Sequence, residues 1–298
     1  MALARFVPVP TGVDLQLTLA PLQRGGPDDP TIRFEDAGVW RATRTPAGPA
    51  TTHLAAQPHG VLAEAWGPGS EWALDHAPSL VGNLDPADSF RPHHPLIAEL
   101  HRRHSGLRLP RTEAVFEALV PTILEQKVPS VEAQLAYRGL VRSFGEPAPG
   151  PAGLMLPPSP EALRARPYWE YHRFRVERRR AESIRAAARV APRLEDTLAM
   201  DGMAARRRLA ALPGVGVWSV EEVAARAFGD ADALSLGDYH LPHLVSWALT
   251  GAARGSDELM LELLEPYRGH RARVIRLLEI GGIYPPRFGP RLPFRRLY

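Results

Sequence analysis

The chain contains no cysteine and a single lysine, Lys127. Without thiols it can form no disulfide, no thiolate zinc site and no cysteine-ligated iron–sulfur cluster. It also lacks any run of about eighteen apolar residues, which argues against a membrane span. Its first residues lack the basic stretch followed by an apolar one that marks a secretory signal. A cytoplasmic location is therefore expected.

What is present is ordinary in bulk. The 298 residues suffice for two domains, and 45% hydrophobic with 23% charged content is typical of a globular protein. The net charge of +3 says little, but its distribution says more. Residues 1–92 carry six arginines against ten acids, a net of −4, which leaves +7 for residues 93–298. Seven arginines fall within 164–180 and eight within 268–298. Such clusters can neutralise phosphates, or simply form a solvated surface.

Hydrophobic periodicity divides the chain in the same way. Val13, Leu15, Leu17 and Leu19 alternate with polar residues as in a half-buried strand. Ile32, Phe34 and Val39–Thr43 suggest further strands around a turn at Asp36-Ala37-Gly38, and Pro46, Gly48 and Pro49 break that run. The pattern turns helical near Ser70–His76, and Arg91–Pro95 marks a boundary. Thr112 can cap a helix that buries Val115, Phe116, Leu119, Val120 and Ile123, with a kink at Pro121. A second helix is expected over about 130–144, then a proline-rich linker over about 146–160, then helices over 178–190 and 204–211. The fold class expected is α+β, mainly α: a β-rich domain over 1–92 and a helical domain over 93–298.

The most informative segment reads Ala211-Leu212-Pro213-Gly214-Val215-Gly216-Val217-Trp218. One helix ends before Pro213, two glycines make a tight hairpin, and a new helix begins near Trp218 and stops at Gly229. Glycines at 214 and 216 let backbone approach a phosphate closely, and amides at the next helix start can bond to it. Twenty-four residues after Gly214 comes Asp238, in Ser235-Leu236-Gly237-Asp238-Tyr239-His240-Leu241. Taken alone, Asp238 reads as the cap of a helix carrying Leu241, Leu244, Val245 and Ala248, with Pro242 in its first turn. Pairs of histidines at 93/94 and 240/243 have no convincing third ligand for a metal. The aromatic run Tyr168–Phe174 can stack bases or pack against helices.

The pattern of hairpin, helix, loop and aspartate resembles the helix-hairpin-helix DNA glycosylase superfamily, and most of all its 3-methyladenine DNA glycosylase II branch. Ile123-Leu124-Glu125-Gln126-Lys127-Val128 and Arg179-Arg180-Ala181-Glu182-Ser183-Ile184 are similar to that family's segments beside the DNA and before the hairpin. The resemblance implies a base-excision repair enzyme for double-stranded DNA containing damaged, alkylated bases, acting on a flipped-out base, as a monomer associated with the nucleoid. It implies Asp238 as catalytic carboxylate, and Trp218, Glu222, Tyr239 and His240 at the base pocket. DNA contacts are implied at Leu212, Gly214, Val215, Gly216, Gln126, Lys127, Arg179 and Arg180. No cofactor is required, although a main-chain-bound alkali cation at the hairpin is known in the superfamily. Trp218 stands where strand-cleaving relatives carry a nucleophilic lysine, so hydrolysis without a lyase step is expected. Glu222 and Lys127 depart from the branch, which has a tyrosine and an apolar wedge there. Other readings are a non-catalytic binder of distorted DNA, or a glycosylase for deaminated purines or bulky adducts.

Overall fold

The computed structural model describes residues 2–9 and 12–286. Its N-terminal part is a five-stranded antiparallel sheet in the order β1-β5-β4-β3-β2. These strands are β1 (Leu3–Pro8), β2 (Ile32–Glu35), β3 (Gly38–Thr45), β4 (Gly48–Gln57) and β5 (Gly60–Trp66). The turn at Asp36–Ala37 sets Glu35 opposite Gly38, as expected. Pro46 and Pro49 do not end the sheet there. Pro46 sits in a tight turn with Ala47, Thr45 lies opposite Gly48, and the chain returns as β4 with Pro49 inside it. Val39, Leu54, Val61, Ala63 and Ala65 are fully buried in the core on this sheet, together with Leu74 of a short helix over Ser70–Asp75.

The leucines at 15, 17 and 19 form a helix, α1 (Leu15–Leu19), not the strand their alternation suggests. The Asp14 carboxylate accepts the Leu17 amide at 2.9 Å and starts it. Leu15 and Leu19 enter the core on the sheet, while Leu17 packs against a different, C-terminal core. A helix wedged between two cores needs apolar residues on both sides, and this imitates a period of two.

The helical part opens with α2 (Pro95–Arg103) and continues through α3 (Val115–Glu125) and α4 (Ser130–Phe144). Thr112 is not the cap of α3. The Glu195 carboxylate takes that place, accepting the Val115 and Phe116 amides at 2.8 Å each. The stretch 146–160 is more than a linker. Glu146–Pro147 and Met155–Leu156 pair as a small hairpin whose Ala152, Leu154 and Leu156 pack with Ala42 of β3. Next come α5 (Arg178–Arg189), α6 (Gly202–Ala210) and α7 (Val217–Val223), which share one buried core with α3 and α4. The last helices are α8 (Leu241–Thr250), α9 (Asp257–Leu264) and α10 (Arg271–Ile280). With α2 and Phe90 they form another core. The helical part thus holds two cores, and the segment between Gly229 and His240 runs from one to the other.

Candidate active site

The hairpin after α6 is built by two glycines with different physical reasons. Gly214 has φ +83°, and a Cβ there would lie 2.1 Å from the Ser183 hydroxyl, so only glycine fits. Gly216 is extended at φ −101°, and nothing lies within 4 Å of an added Cβ. The fold therefore places no constraint on residue 216, and its bare backbone faces solvent. Val215 is buried and Leu212 packs half-buried on the core, so the side chains of these two expected DNA contacts anchor the hairpin instead. The Val215 amide is also occupied, donating to Leu212 O at 3.1 Å. The first intrahelical bond of α7 runs from Val220 N–H to Gly216 O at 3.0 Å, leaving the amides before it without helical partners.

Asp238 lies where the two helical cores meet. Its Oδ1 accepts the amides of His240 and Leu241 at 2.7 and 2.9 Å, which starts α8. Its Oδ2 accepts the indole N–H of Trp218 on α7 at 2.9 Å. The preceding Gly237 amide donates to Asp257 Oδ2 at 2.8 Å, tying the loop to the start of α9. The carboxylate that holds the start of α8 is the same one that Trp218 engages. Three hydrogen bonds fix it, and a carboxylate has about four acceptor positions, so it retains capacity toward a ligand. Tyr239 is 77% exposed and His240 is also exposed, so both project from the surface rather than lining a wall.

One helical turn beyond Trp218, Glu222 accepts the Ser235 hydroxyl and an Arg226 N–H, each at 2.7 Å. Arg226 Nε reaches Pro21 O at 3.2 Å, and Arg24 pairs with Glu125 at the end of α3. Burial acts to raise the Glu222 carboxyl, but Arg226, Arg24 and the Ser235 hydroxyl outweigh it and hold it below the ordinary carboxylate range. Burial dominates at Glu125 and pushes it up, with Arg24 and Arg226 opposing and Glu222 and Asp238 adding. Arg24 and Arg226 escaped the sequence reading. Arg24 sits in the N-terminal part with no motif around it, and Arg226 reads as an ordinary helix-surface residue.

Gln126 was expected to touch DNA, yet its Nε2 donates inward to Gly214 O and Ser219 Oγ, at 2.8 and 2.9 Å. It clamps the end of α3 onto the hairpin. Lys127 follows in the left-handed region at φ +56°, and its side chain is exposed. Arg180, expected at the DNA, is buried. Its side chain is 2% exposed, donating to Leu124 O at 2.6 Å and pairing with Glu177. Arg179, one turn before the Ser183 that supports Gly214, is exposed.

Of the C-terminal arginines, Arg271 pairs with Asp232 at 2.5 Å, Arg276 with Glu279 at 3.3 Å and Arg268 with Glu265 at 2.8 Å. Arg273 is buried against Asp85. Arg271, Arg273 and Arg276 are thus largely buried in ion pairs, Arg268 stays exposed, and Arg287, Arg291, Arg295 and Arg296 lie outside the described residues. In the aromatic run, Tyr171 is buried with its hydroxyl on Leu163 O at 2.8 Å, whereas Trp169 is 61% exposed. Among the described residues no group of three or more His, Cys, Asp or Glu side chains could hold a metal, and no helix is long and apolar enough to cross a membrane. Two hairpin carbonyls that could turn to an alkali cation, Leu212 O and Gly214 O, already accept Val215 N–H and Gln126.

No protein-family model matches the chain. Its structure is similar to a 3-methyladenine DNA-glycosylase from Archaeoglobus fulgidus, with TM-score 0.76, 19% identity and coverage of 94% of this chain and 99% of that one. It is also similar to an 8-oxoguanine glycosylase/lyase from Clostridium acetobutylicum in complex with double-stranded DNA, with TM-score 0.66, 12% identity and coverage of 89% and 90%. Curated relatives from two strains of Mycobacterium tuberculosis are described as a probable bifunctional transcriptional activator/DNA repair enzyme AlkA. Each is 32% identical over 140 residues. That match takes in 46% of this chain and spans 28% of each relative's length.

Proposed function

On the fold of these helix-hairpin-helix glycosylases, we propose that the chain hydrolyses the N-glycosidic bond of alkylated bases in duplex DNA and leaves the strand uncut. The observation that carries this reading is the fixed Asp238 carboxylate, held between Trp218 and the start of α8 at the junction of two cores. As the base departs, positive charge develops on the sugar. A carboxylate already oriented by three hydrogen bonds stabilises that charge without reorganising, and can receive the proton of the attacking water. The exposed backbone at Gly216 and the side chains of Arg179 and Lys127 engage phosphates on either side of a flipped nucleotide. Trp218 is bound to the catalytic carboxylate and offers no amine, so no Schiff base forms there. The chemistry requires no cation at the hairpin, and one copy of the chain suffices.

Duplexes carrying single lesions provide the test, with free base and strand breaks measured separately. Asp238→Asn preserves the cap, since Asn and Asp cap helices about equally well. It should slow base release on the order of 10²–10³-fold with DNA affinity retained. Release at the wild-type rate would remove Asp238 from this role, and strand cleavage by the wild type would remove the hydrolytic assignment.

A further inference from the structure

We propose that the turn over Tyr168–Phe174 and the start of α5 form a second DNA-binding surface, which grips the duplex beside the stretch held at the hairpin. The inference rests on the reading of the hairpin as a DNA contact and goes beyond it in assigning the surface that holds the flank.

The turn is anchored by aromatic side chains and displays arginines. It is a 3₁₀ helix whose Tyr171 is buried. Phe174 packs edge-on against Phe144 of α4 at 5.5 Å, and it lies over Gly139 of the same helix, where an added Cβ would collide with the ring. Three guanidinium groups lie over rings of this cluster. Arg178 stands over Tyr168 at 4.7 Å, Arg173 over Phe174 at 4.7 Å and Arg166 over Phe144 at 5.2 Å. A ring face attracts a cation without neutralising it. The aromatics therefore fix these head groups at the surface and leave their charge available. Trp169, edge-on to Tyr168 at 5.3 Å, is 61% exposed and presents its indole to solvent.

Carboxylates do not cancel this charge. Residues 164–180 hold seven arginines and two acids. Glu177 pairs with the buried Arg180, and Glu170 lies 3.6 Å from Arg166. Among the described residues, Arg164, Arg173, Arg178 and Arg179 have no carboxylate within ion-pair distance, and all four are exposed. Arg102 and Arg103 of α2 are exposed as well, yet both pair with Glu99. Like charges gathered on one face repel one another. A polyanion relieves that repulsion and releases its own counterions as it binds.

The place of this surface in the fold selects duplex DNA as the polyanion. Arg178 and Arg179 are neighbours in the first turn of α5, and Arg179 is one turn before Ser183, on which Gly214 of the hairpin is packed. From the hairpin the positive surface continues over Arg179 and Arg178 to Tyr168, Trp169 and Arg173. A strand whose phosphates are held at Gly216 meets these guanidiniums as it leaves the hairpin, and the exposed indole covers a deoxyribose. Contacts of this kind go to phosphate and sugar, so they lengthen the footprint without reading sequence.

The test measures binding to duplexes carrying one tetrahydrofuran abasic-site analogue, which sets the register and has no base to lose. One duplex is short, and two others are extended by half a helical turn on one side or the other. Extension on one side only should raise wild-type affinity about tenfold and steepen its salt dependence. Arg173→Gln/Arg178→Gln should abolish that gain, lower the salt slope on the longer duplex by about two units, and bind the short duplex within about twofold of the wild type. Trp169→Ala should remove part of the gain and keep the salt slope. Arg102→Gln/Arg103→Gln removes the same charge from α2 and should change neither. Thermal unfolding reports whether each variant is folded, and Arg178→Gln alone carries the comparison, with half the change in slope, if the double variant is not. No gain from extension, an equal gain on both sides, a gain that survives in folded Arg173→Gln/Arg178→Gln, or an equal loss in the α2 variant overturns the proposal. Base release from alkylated duplexes is scored separately. Release with no dependence of binding on this surface sinks the surface alone, and surface-dependent binding without release sinks the glycosylase reading alone.

Discussion

The indole N–H of Trp218 donates to Oδ2 of Asp238 at 2.9 Å, and that bond crosses from one helical core to the other. Trp218 rides on the helix after the hairpin, while Asp238 starts the first helix of the C-terminal core. Whatever positions the hairpin therefore also positions the carboxylate.

Trp218→Phe removes this donor and keeps most of the ring. The lost hydrogen bond, made to a carboxylate, should cost about 1.5–3 kcal/mol of stability. Base release should slow on the order of ten- to a hundredfold, because a carboxylate free to rotate spends less time in the reactive geometry. Single-turnover release set beside DNA affinity checks this: a rate loss with unchanged affinity identifies Trp218 as a positioning residue, and an unchanged rate denies it that role.

Arg179 and Arg180 are neighbours with opposite expected behaviour. Arg180→Ala strips a 2%-exposed guanidinium from Glu177, Glu132 and Leu124 O, and should destabilise by about 3–5 kcal/mol in thermal or urea unfolding. Arg179→Ala should leave stability within about 0.5 kcal/mol. It should instead lower the salt dependence of DNA binding by about one unit of slope. Equal effects of the two on unfolding would contradict the burial seen here.

The hairpin glycines separate in the same manner. Gly214→Ala forces φ +83° on a side chain and drives its Cβ into Ser183, and should cost about 2–4 kcal/mol. Gly216→Ala meets nothing in the protein, so the melting temperature should hold while DNA affinity falls. If Gly216→Ala binds DNA normally, the exposed backbone there is not a phosphate contact.

Much of this was legible locally. The hairpin, the helix stop at Gly229 and the capping geometry of Asp238 each depend on a few adjacent residues, whose φ angles and short-range hydrogen bonds are properties of the segment itself. The reading failed where a residue answers to a distant partner. The leucines of α1 alternate because two cores flank that helix, and α3 is capped by Glu195 from far along the chain rather than by Thr112. Arginine clusters invited a DNA role, but Arg180, Arg271 and Arg273 are held by Glu132, Asp232 and Asp85, carboxylates brought in by folding.

Asp238 shows the division most clearly. The sequence by itself determined that it caps a helix and stands at a set interval after a glycine hairpin, because both follow from local geometry and spacing. Only the tertiary structure decided that its second oxygen meets Trp218, and that Arg24, Glu125, Glu222 and Arg226 gather beside it. Those contacts join three separately buried parts of the chain, and packing of whole cores, not the preference of any segment, brings them together.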